Sequence, residues 1–280
     1  MVLKSGLYVV ATPIGNLGDI TLRALDVLKG SDIILCEDTR VSNKLLAKHS
    51  IKAILRVYND NSDASSRQTV KDWITAGKVV SLVSDAGTPL ISDPGYKLVR
   101  DLKNDGFYVD VIPGPCAAIA ALTLSGLPTD SFFFAGFLPK TKEGKTNIFK
   151  AVSSLPCTII FYETSIRLLQ SLTIAKEVLG NRQANVAREL TKLYQESNSA
   201  SLLELIKYYT QNPPKGEIVL SISGIEQLQV SSINLQTEIA DLIATGLSAK
   251  SISDQIFSKY KSQFKRKEIY KMVNQFKKGI

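Results

Sequence analysis

Short apolar runs of strand length alternate with helix-forming stretches in the first half of this 280-residue chain, and this alternation constrains the fold most. The runs at 6–11, 32–36, 79–83 and 108–112 are continuous and β-rich, as in strands buried on both faces of a parallel sheet. Between them, Thr21 is placed to cap a helix over 22–29, and Asp63 or Ser65 to open one that closes at Gly77. The pattern predicts an open, mostly parallel α/β sheet.

Turn residues at 125–130 interrupt this pattern, and we therefore predict a first domain over 1–126. A second α/β domain is expected over 127–230, with strands at 132–135, 158–162, 185–188, near 193–194 and at 217–222. The segments near 186 and 194 are too close for a crossover helix, which predicts antiparallel pairing and a mixed sheet. Apolar residues at helical spacing from about 235 onward predict a small helical segment over 231–280.

Composition narrows the class of protein. With 44% hydrophobic residues the chain is too apolar for a disordered tail. The longest nearly apolar stretch, 116–127, is shorter than the roughly 18–20 residues of a membrane span, so it is expected to be a buried helix, and no membrane association is expected. The start of the chain shows no secretion signal, and three scattered cysteines match neither a disulfide framework nor a zinc pattern, so a reducing cytoplasm is expected. His49 is the only histidine, which leaves acid–base chemistry to carboxylates.

The positive charge is concentrated at the C-terminus. Residues 248–280 contain nine Lys and Arg against Asp254 and Glu268, which accounts for +7 of the formal net charge of +8. Clustered cationic side chains attract phosphates, so this segment favours a polyanionic partner, although a solvated lysine-rich helix face is about equally consistent with it.

The loops after the predicted strands are the candidate ligand sites, because ligands bind at the carboxyl ends of strands in open α/β sheets. They span 12–19, 37–40, 84–95 and 113–118. The first contains glycines and is followed by the acidic Glu37, a combination that suggests a dinucleotide site. However, the G-x-G-x-x-G string is absent, and Pro13 removes a backbone donor that a pyrophosphate would need. The pattern therefore argues against NAD(P).

Taken together, seven motifs in their order along the chain closely resemble the tetrapyrrole-methylase family, and within it the branch that methylates RNA. They are 11–19, 37–40, 84–95, 113–115, 161–163, 187–192 and 215–217. The resemblance covers about 6–223. Departures are Cys36 where the family usually has alanine, Cys116 where it usually has serine, and Ser165-Ile166 where it usually has a Pro-His pair.

The resemblance implies a two-domain α/β methyltransferase, usually a homodimer, that holds S-adenosylmethionine in the cleft between its domains. It implies methyl transfer to the ribose 2′-oxygen of a cytidine in the decoding region of small-subunit ribosomal RNA. Two alternatives remain open: methylation of a tetrapyrrole, and a ribosome assembly factor that binds RNA without methylating it. The expected cofactor contacts are Pro13, Asp85, Ala86, Gly87, Thr88, Ile91, Cys116, Ala117, Tyr162 and Gly216.

Carboxylates are the candidates for accepting the proton of the ribose hydroxyl. Glu37 and Asp38 come first as base or hydroxyl orienter, followed by Glu163 and Asp85. The alternative for Glu37 and Asp38 is an ion pair with Arg40 that shapes the loop. Guanidinium groups suit bidentate contacts to phosphate. The candidate RNA contacts, with Arg40 also counted in the catalytic loop, are Arg40, Arg167, Arg188, Lys265, Arg266 and Lys267.

Overall fold

A computed structural model describes residues 2–59, 61–225, 232–260, 264 and 266–278. The chain forms two compact units, Met1–Ile225 and Glu226–Ile280. Within the described residues, no helix is both long enough and apolar enough to cross a membrane.

The first sheet is entirely parallel, as predicted. Its strands are β1 (Gly6–Val10), β2 (Ile33–Cys36), β3 (Ile54–Val57), β4 (Val79–Leu82) and β5 (Val109–Ile112), in the order β3-β2-β4-β1-β5. The three inner strands are buried along their whole length, which explains their continuous apolar sequences. Strand β3 was not predicted: it lies at the sheet edge, and its four residues include the charged Arg56.

Helices cover both faces of this sheet. One face carries α1 (Leu22–Gly30) and α2 (Thr39–Lys48), and the other carries α3 (Ala64–Thr75) and α4 (Tyr96–Asn104), whereas α5 (Ala117–Ser125), which follows β5, packs against the second sheet. The predicted caps are confirmed, since Thr21 accepts from the backbone N–H of Ala24 and Asp63 from that of Ser66. Alternate residues of β1 point to opposite faces: Leu7 packs with α3 and α4, and Tyr8 with α1.

The second sheet is mixed, again as predicted. It contains β6 (Phe132–Phe137), β7 (Thr158–Thr164), β8 (Gln183–Arg188), β9 (Glu196–Ser201) and β10 (Glu217–Ile222), in the order β6-β7-β10-β8-β9, with only β6 and β7 parallel. Helices α6 (Lys142–Val152), α7 (Ser165–Leu179) and α8 (Leu202–Gln211) cover one face of this sheet. The other face is covered by α5, whose Ala118, Ala121 and Leu122 pack against Ile160 and Val219.

Two sequence predictions need correction here. The strand expected near Leu193 and Tyr194 is wrong: both residues lie in an exposed turn, and β9 begins at Glu196, although its pairing with β8 is antiparallel as expected. The polar sequence of β9 carries no apolar signal. Helix α5 is buried on one side only, because Ile119 and Leu124 are 46% and 47% exposed.

The second unit consists of helices α9 (Ser232–Ala244), α10 (Ala249–Tyr260) and α11 (Arg266–Lys278), as the helical spacing predicted. Their core is formed by Leu235, Ile239, Ile252, Ile256, Ile269 and Val273. The predicted division at 126 falls between the two sheets, both of which lie in the first compact unit. The division predicted at 230 lies outside the described residues.

Candidate active site

A cavity of about 360 Å³ opens where the loops after β1, β2, β4 and β5 meet the second sheet. Loops and strand ends from both α/β halves line it, as expected for a ligand site at the carboxyl ends of parallel strands. The predicted site residues in its wall are Glu37, Asp85, Ala86, Gly87, Thr88, Ile91, Cys116, Ala117, Tyr162, Glu163 and Gly216. The other lining residues were not named as site residues, although five of them lie in the seven motifs named above. These five are Ile14, Asp93, Ala187, Leu190 and Glu217, and the remaining four are Phe137, Thr164, Ile218 and Val219.

Backbone hydrogen bonds hold the loops of the first sheet together around the cavity. Thr12 and Gly87 form a two-way bridge, with N···O distances of 2.8 and 3.0 Å. The Thr88 hydroxyl donates to the carbonyl of Pro115 at 3.0 Å, which joins the loops after β4 and β5. Gly87 has a φ of +83°, and a Cβ there would lie 3.3 Å from Cγ2 of Ile14. The backbone conformation therefore favours glycine, and a larger residue would also press on the side chain of Ile14.

The loop after β4 stores backbone strain beside the cavity. Leu90 and Ser92 have φ angles of +73° and +66°, in the left-handed region that side chains disfavour. Between them, Ile91 lines the cavity and remains 41% exposed. Strained residues persist only where the surrounding structure determines them, and they concentrate at functional sites.

The cavity wall is acidic. It includes Glu37, Asp85, Asp93, Glu163 and Glu217, and no Lys or Arg among the described residues that line it. Lys145 and Arg167 balance Glu163 from behind the wall, and Lys192 pairs with Glu217, but the wall itself offers phosphate groups no cationic partner and favours a ligand that carries positive charge.

Asp38 and Arg40 lie beside this wall and are not part of it. They form an ion pair at 2.7 Å, and Asp38 also accepts the backbone N–H of Arg40 as the cap of α2. The Arg40 side chain lowers the pKa of Asp38 to about 2. For Asp38 the structure thus contains the ion pair with Arg40 that was the alternative to a catalytic role. Glu37, by contrast, lines the cavity.

The same loop is tied to the loop after β4. Asp38 donates its backbone N–H to Oδ1 of Asp85 at 3.1 Å, and Asp85 donates its own to Oε1 of Glu37 at 3.4 Å. These contacts fix the position of the Glu37 carboxylate relative to the cavity.

The carboxylate of Glu163 belongs to a buried ion cluster. It lies 2.6 Å from Arg167 and 3.5 Å from Lys145, accepts from the Ser171 hydroxyl at 2.6 Å, and binds the backbone N–H of Thr164 at 2.7 Å. The side chains of Glu163 and Lys145 are both 0% exposed, and burial lowers the pKa of Lys145. These partners occupy both carboxylate oxygens of Glu163, which leaves little hydrogen-bonding capacity for a substrate hydroxyl.

Arg167 was expected to contact RNA, but its guanidinium donors bind groups within the protein. Besides Glu163, its guanidinium donates to the Thr164 hydroxyl at 3.0 Å and to the carbonyl of Leu138 at 3.4 Å. These contacts argue against the RNA role predicted for Arg167 and point to a role in holding the start of α7.

An aromatic group borders the cavity. Tyr162 makes edge-to-face contacts with Phe134 and Phe137, at centroid distances of 4.9 and 5.2 Å, and Phe137 is 57% exposed. Burial raises the pKa of Tyr162. Such rings suit the stacking of a planar ligand.

The remaining predicted residues lie elsewhere. Pro13 is not in the cavity wall, although its neighbour Ile14 is. Arg188 pairs with Glu196 at 2.9 Å, and Arg266 pairs with Asp254. Lys267 is exposed on α11, and Lys265 lies outside the described residues.

Residues 6–206 match the family described as Tetrapyrrole (Corrin/Porphyrin) Methylases. This chain belongs to that family. The expected two-sheet architecture is therefore confirmed by the fold and by the family match, and the chain is a methyltransferase.

Two relatives show to which group within the family this chain belongs. The chain is 56% identical to "Ribosomal RNA small subunit methyltransferase I" of Rickettsia prowazekii (strain Madrid E) over 277 residues, which cover 99% of each chain. It is 46% identical to the protein of the same name from Escherichia coli O157:H7 over 221 residues, 78% of this chain and 77% of that one. The chain belongs to this group within the family.

Solved structures show the same fold in a distant relative. Uroporphyrin-III C-methyl transferase from Thermus thermophilus, complexed with S-adenyl homocysteine, aligns with a TM-score of 0.53 at 18% identity, covering 79% of this chain and 97% of that one. At this identity the likeness concerns the fold alone.

Proposed function

We propose that this methyltransferase transfers the methyl group of S-adenosylmethionine to the ribose 2′-oxygen of a cytidine in the decoding region of small-subunit ribosomal RNA. The observation that carries the proposal is the 56% identity over 99% of both chains with a relative named for small-subunit ribosomal RNA methylation. The cavity supports it, because it gathers eleven of the residues that sequence analysis proposed for the site.

The cavity fits this cofactor in charge and in shape. S-adenosylmethionine supplies a methyl group bound to a positively charged sulfur, and the acidic wall suits that charge. The N-terminus of α5, at Ala117 in the cavity wall, would place partial positive charge beside a ligand carboxylate. Phe137 and Tyr162 offer aromatic surface for the adenine.

The protein's own contribution to the reaction is alignment and proton removal. As the 2′-oxygen attacks the methyl carbon, the carbon–sulfur bond breaks and the hydroxyl proton must leave. Alignment of two reactants is worth about 7–11 kcal/mol of the barrier, and a general base contributes about 10²–10⁴-fold. Glu37 is the best candidate for the base or hydroxyl orienter, because it lines the cavity while Asp38 is paired with Arg40.

The RNA is expected to stay largely outside the acidic cavity, with only the target ribose entering. Its phosphates need cationic partners on the rim and on the basic helices. Lys265, Arg266 and Lys267 remain the proposed contacts in the C-terminal unit, and Arg188 in the first unit. The substrate places the enzyme in the cytoplasm, and a homodimer is the expected assembly.

Both alternatives predict different outcomes. The solved tetrapyrrole methyltransferases share the fold at 17–19% identity, far below the identity to the relatives named for ribosomal RNA. A non-catalytic assembly factor would have no need for a cavity with this chemistry. Incubation of the purified protein with labelled S-adenosylmethionine and, in parallel, small subunits, naked RNA and a tetrapyrrole precursor tests all three. We expect label on RNA; label on the tetrapyrrole alone, or on neither, would contradict the proposal.

A further inference from the structure

A second pocket, of about 360 Å³, lies at the opposite face of the second sheet from the cofactor cavity. The two are adjacent along the chain: Ala187 lines the cavity and Arg188 the pocket, while Gly216 lines the cavity and Lys215 the pocket. Ala187 and Arg188 are successive residues of β8 and point to opposite faces, so the end of this strand carries one site on each side, and the segment just before β10 reaches both sites.

The pocket carries a net positive charge. Arg188 is held by Glu196, with its Nε 3.0 Å and its NH2 2.9 Å from Oε2, and by the carbonyl of Lys215 at 3.4 Å. Glu196 also accepts from the Tyr208 hydroxyl at 3.4 Å. One carboxylate thus balances Arg188, and Lys215 takes part in no ion pair among the described residues. An anion is the ligand this charge favours.

Aromatic and polar groups complete the pocket. The ring of Tyr208 is 42% exposed and is held edge-to-face by Tyr209 at a centroid distance of 5.0 Å. Tyr209 is only 2% exposed, and its hydroxyl is buried without a well-formed hydrogen bond among the described residues, although Asn198 lies near it. Pro214 gives the wall a rigid segment. A cation beside an exposed, immobilised ring is the combination that binds single-stranded nucleic acid.

We propose that this pocket binds a nucleotide of the substrate RNA that flanks the target cytidine. Lys215, with Arg188 behind it, holds the phosphate, and the base stacks on Tyr208. The proposal rests on the proposed function. No Lys or Arg among the described residues lines the cavity, so the RNA phosphates need cationic contacts close to it, and the pocket supplies them within one residue of the cavity wall at both Arg188 and Lys215.

Matched variants distinguish RNA binding by the pocket from a general effect of substitution on the fold or on surface charge. Lys215→Gln removes the free charge, and Lys207→Gln removes one from the exposed surface of α8 outside the pocket. Tyr208→Ala removes the ring, and Tyr208→Phe keeps it. Each is measured in steady-state methylation of purified small subunits, in RNA binding across a salt series, and in cofactor binding by calorimetry.

We expect Lys215→Gln to raise the KM for small subunits several-fold and to flatten the log–log salt dependence by about 0.7–0.9. Loss of the ring in Tyr208→Ala is expected to raise the KM roughly 5- to 150-fold. Lys207→Gln and Tyr208→Phe should match the wild type, and kcat and cofactor affinity should be unchanged in all four variants.

Two outcomes would overturn the proposal. If the wild type methylates small subunits, and both Lys215→Gln and Tyr208→Ala show the wild-type KM and salt dependence, the pocket is not an RNA site. If the wild type methylates no RNA, the proposed function fails, and unchanged RNA binding by the variants would overturn the pocket separately.

Discussion

The backbone N–H of Asn16 donates a hydrogen bond to Oγ1 of Thr191, 3.1 Å away, and this contact joins the loop after β1 to the loop after β8. Beside it, a Cβ on Gly15 would lie 2.5 Å from Cγ of Lys192, so the loops meet at a distance that excludes a larger residue. Lys192 in turn contacts Glu189 at 2.9 Å and Glu217 at 2.8 Å, and Glu217 lines the cavity. The two α/β halves are thereby joined at the edge of the cavity.

Thr191→Val tests this fastening. The substitution removes the acceptor but keeps the β-branched shape at a φ of +64°, so backbone strain is nearly unchanged. We expect the free energy of unfolding to fall by about 0.5–1.5 kcal/mol and the cofactor to bind more weakly. Urea denaturation and calorimetry measure the two effects, with Thr173→Val on the exposed surface of α7 as control. Full cofactor affinity would show that the contact does not support the cavity.

Gly87→Ala is expected to weaken cofactor binding beyond its effect on stability. The new Cβ would press on Ile14 in the cavity wall and would occupy a backbone conformation with a φ of +83°. Gly77→Ala is the matched control, because Gly77 has a φ of +86° and nothing within 4 Å of the added carbon. Both variants should lose similar stability, roughly 1–3 kcal/mol, while only Gly87→Ala loses cofactor affinity. Equal affinities would remove this turn from the site.

Glu37→Gln should slow methyl transfer more than Asp38→Asn does. Glu37 lines the cavity, whereas Asp38 caps α2, a role that asparagine also fills. We expect single-turnover rates for Glu37→Gln to fall by up to about 10⁴-fold with cofactor affinity kept. A full-rate Glu37→Gln enzyme would exclude proton removal by this carboxylate, and a slower Asp38→Asn enzyme would reverse the assignment.

The ion pair of Asp38 with Arg40 predicts a titration that NMR can follow. The pKa of Asp38 is lowered to about 2, so the stabilisation it contributes is present above the ordinary aspartate pKa and is lost as the pH falls from about 4 toward 2. Arg40→Gln should return the midpoint of the Asp38 carboxyl toward about 4. An unchanged midpoint in the variant would mean that Arg40 is not the cause.

The sequence predicted the inner strands and the ligand loops because these carry local signals. Continuous apolar runs identify the buried strands β1, β2 and β4, and turn residues identify the loops after them. The edge strand β3 and the polar strand β9 lack such runs, and were respectively missed and misplaced. Asn185, which is fully buried, bonds to the hydroxyls of Ser197 and Ser199 in β9, a tertiary contact with no periodic signal.

Side-chain roles were harder to predict than side-chain positions. Glu163 was expected near the cofactor and does line the cavity, but its carboxylate is satisfied by Lys145 and Arg167. Lys145 lies in α6, 18 positions before Glu163 in strand β7, so the sequence gives no sign of their contact. Pairing of this kind depends on how α6 packs against β7 and α7, which is a property of the whole fold.

Lys267 should contribute to RNA binding more than Arg266. Arg266 is paired with Asp254, so part of its charge is already balanced, whereas Lys267 is exposed on α11. We expect Lys267→Gln to reduce the slope of log affinity against log salt by about 0.7, and Arg266→Gln to reduce it less. Salt titrations of RNA binding measure both slopes. Slopes equal to that of the wild type in both variants would mean that these two side chains are hydrated surface groups that do not contact RNA.

The proposed reaction is methyl transfer to a ribose 2′-oxygen of small-subunit RNA. Mass spectrometry of nucleosides from small subunits incubated with the purified protein and isotopically labelled S-adenosylmethionine detects its product. We expect label in 2′-O-methylcytidine, and its loss or strong reduction in Glu37→Gln. Label on a base, label on a tetrapyrrole offered in parallel, or no label in any acceptor would contradict it.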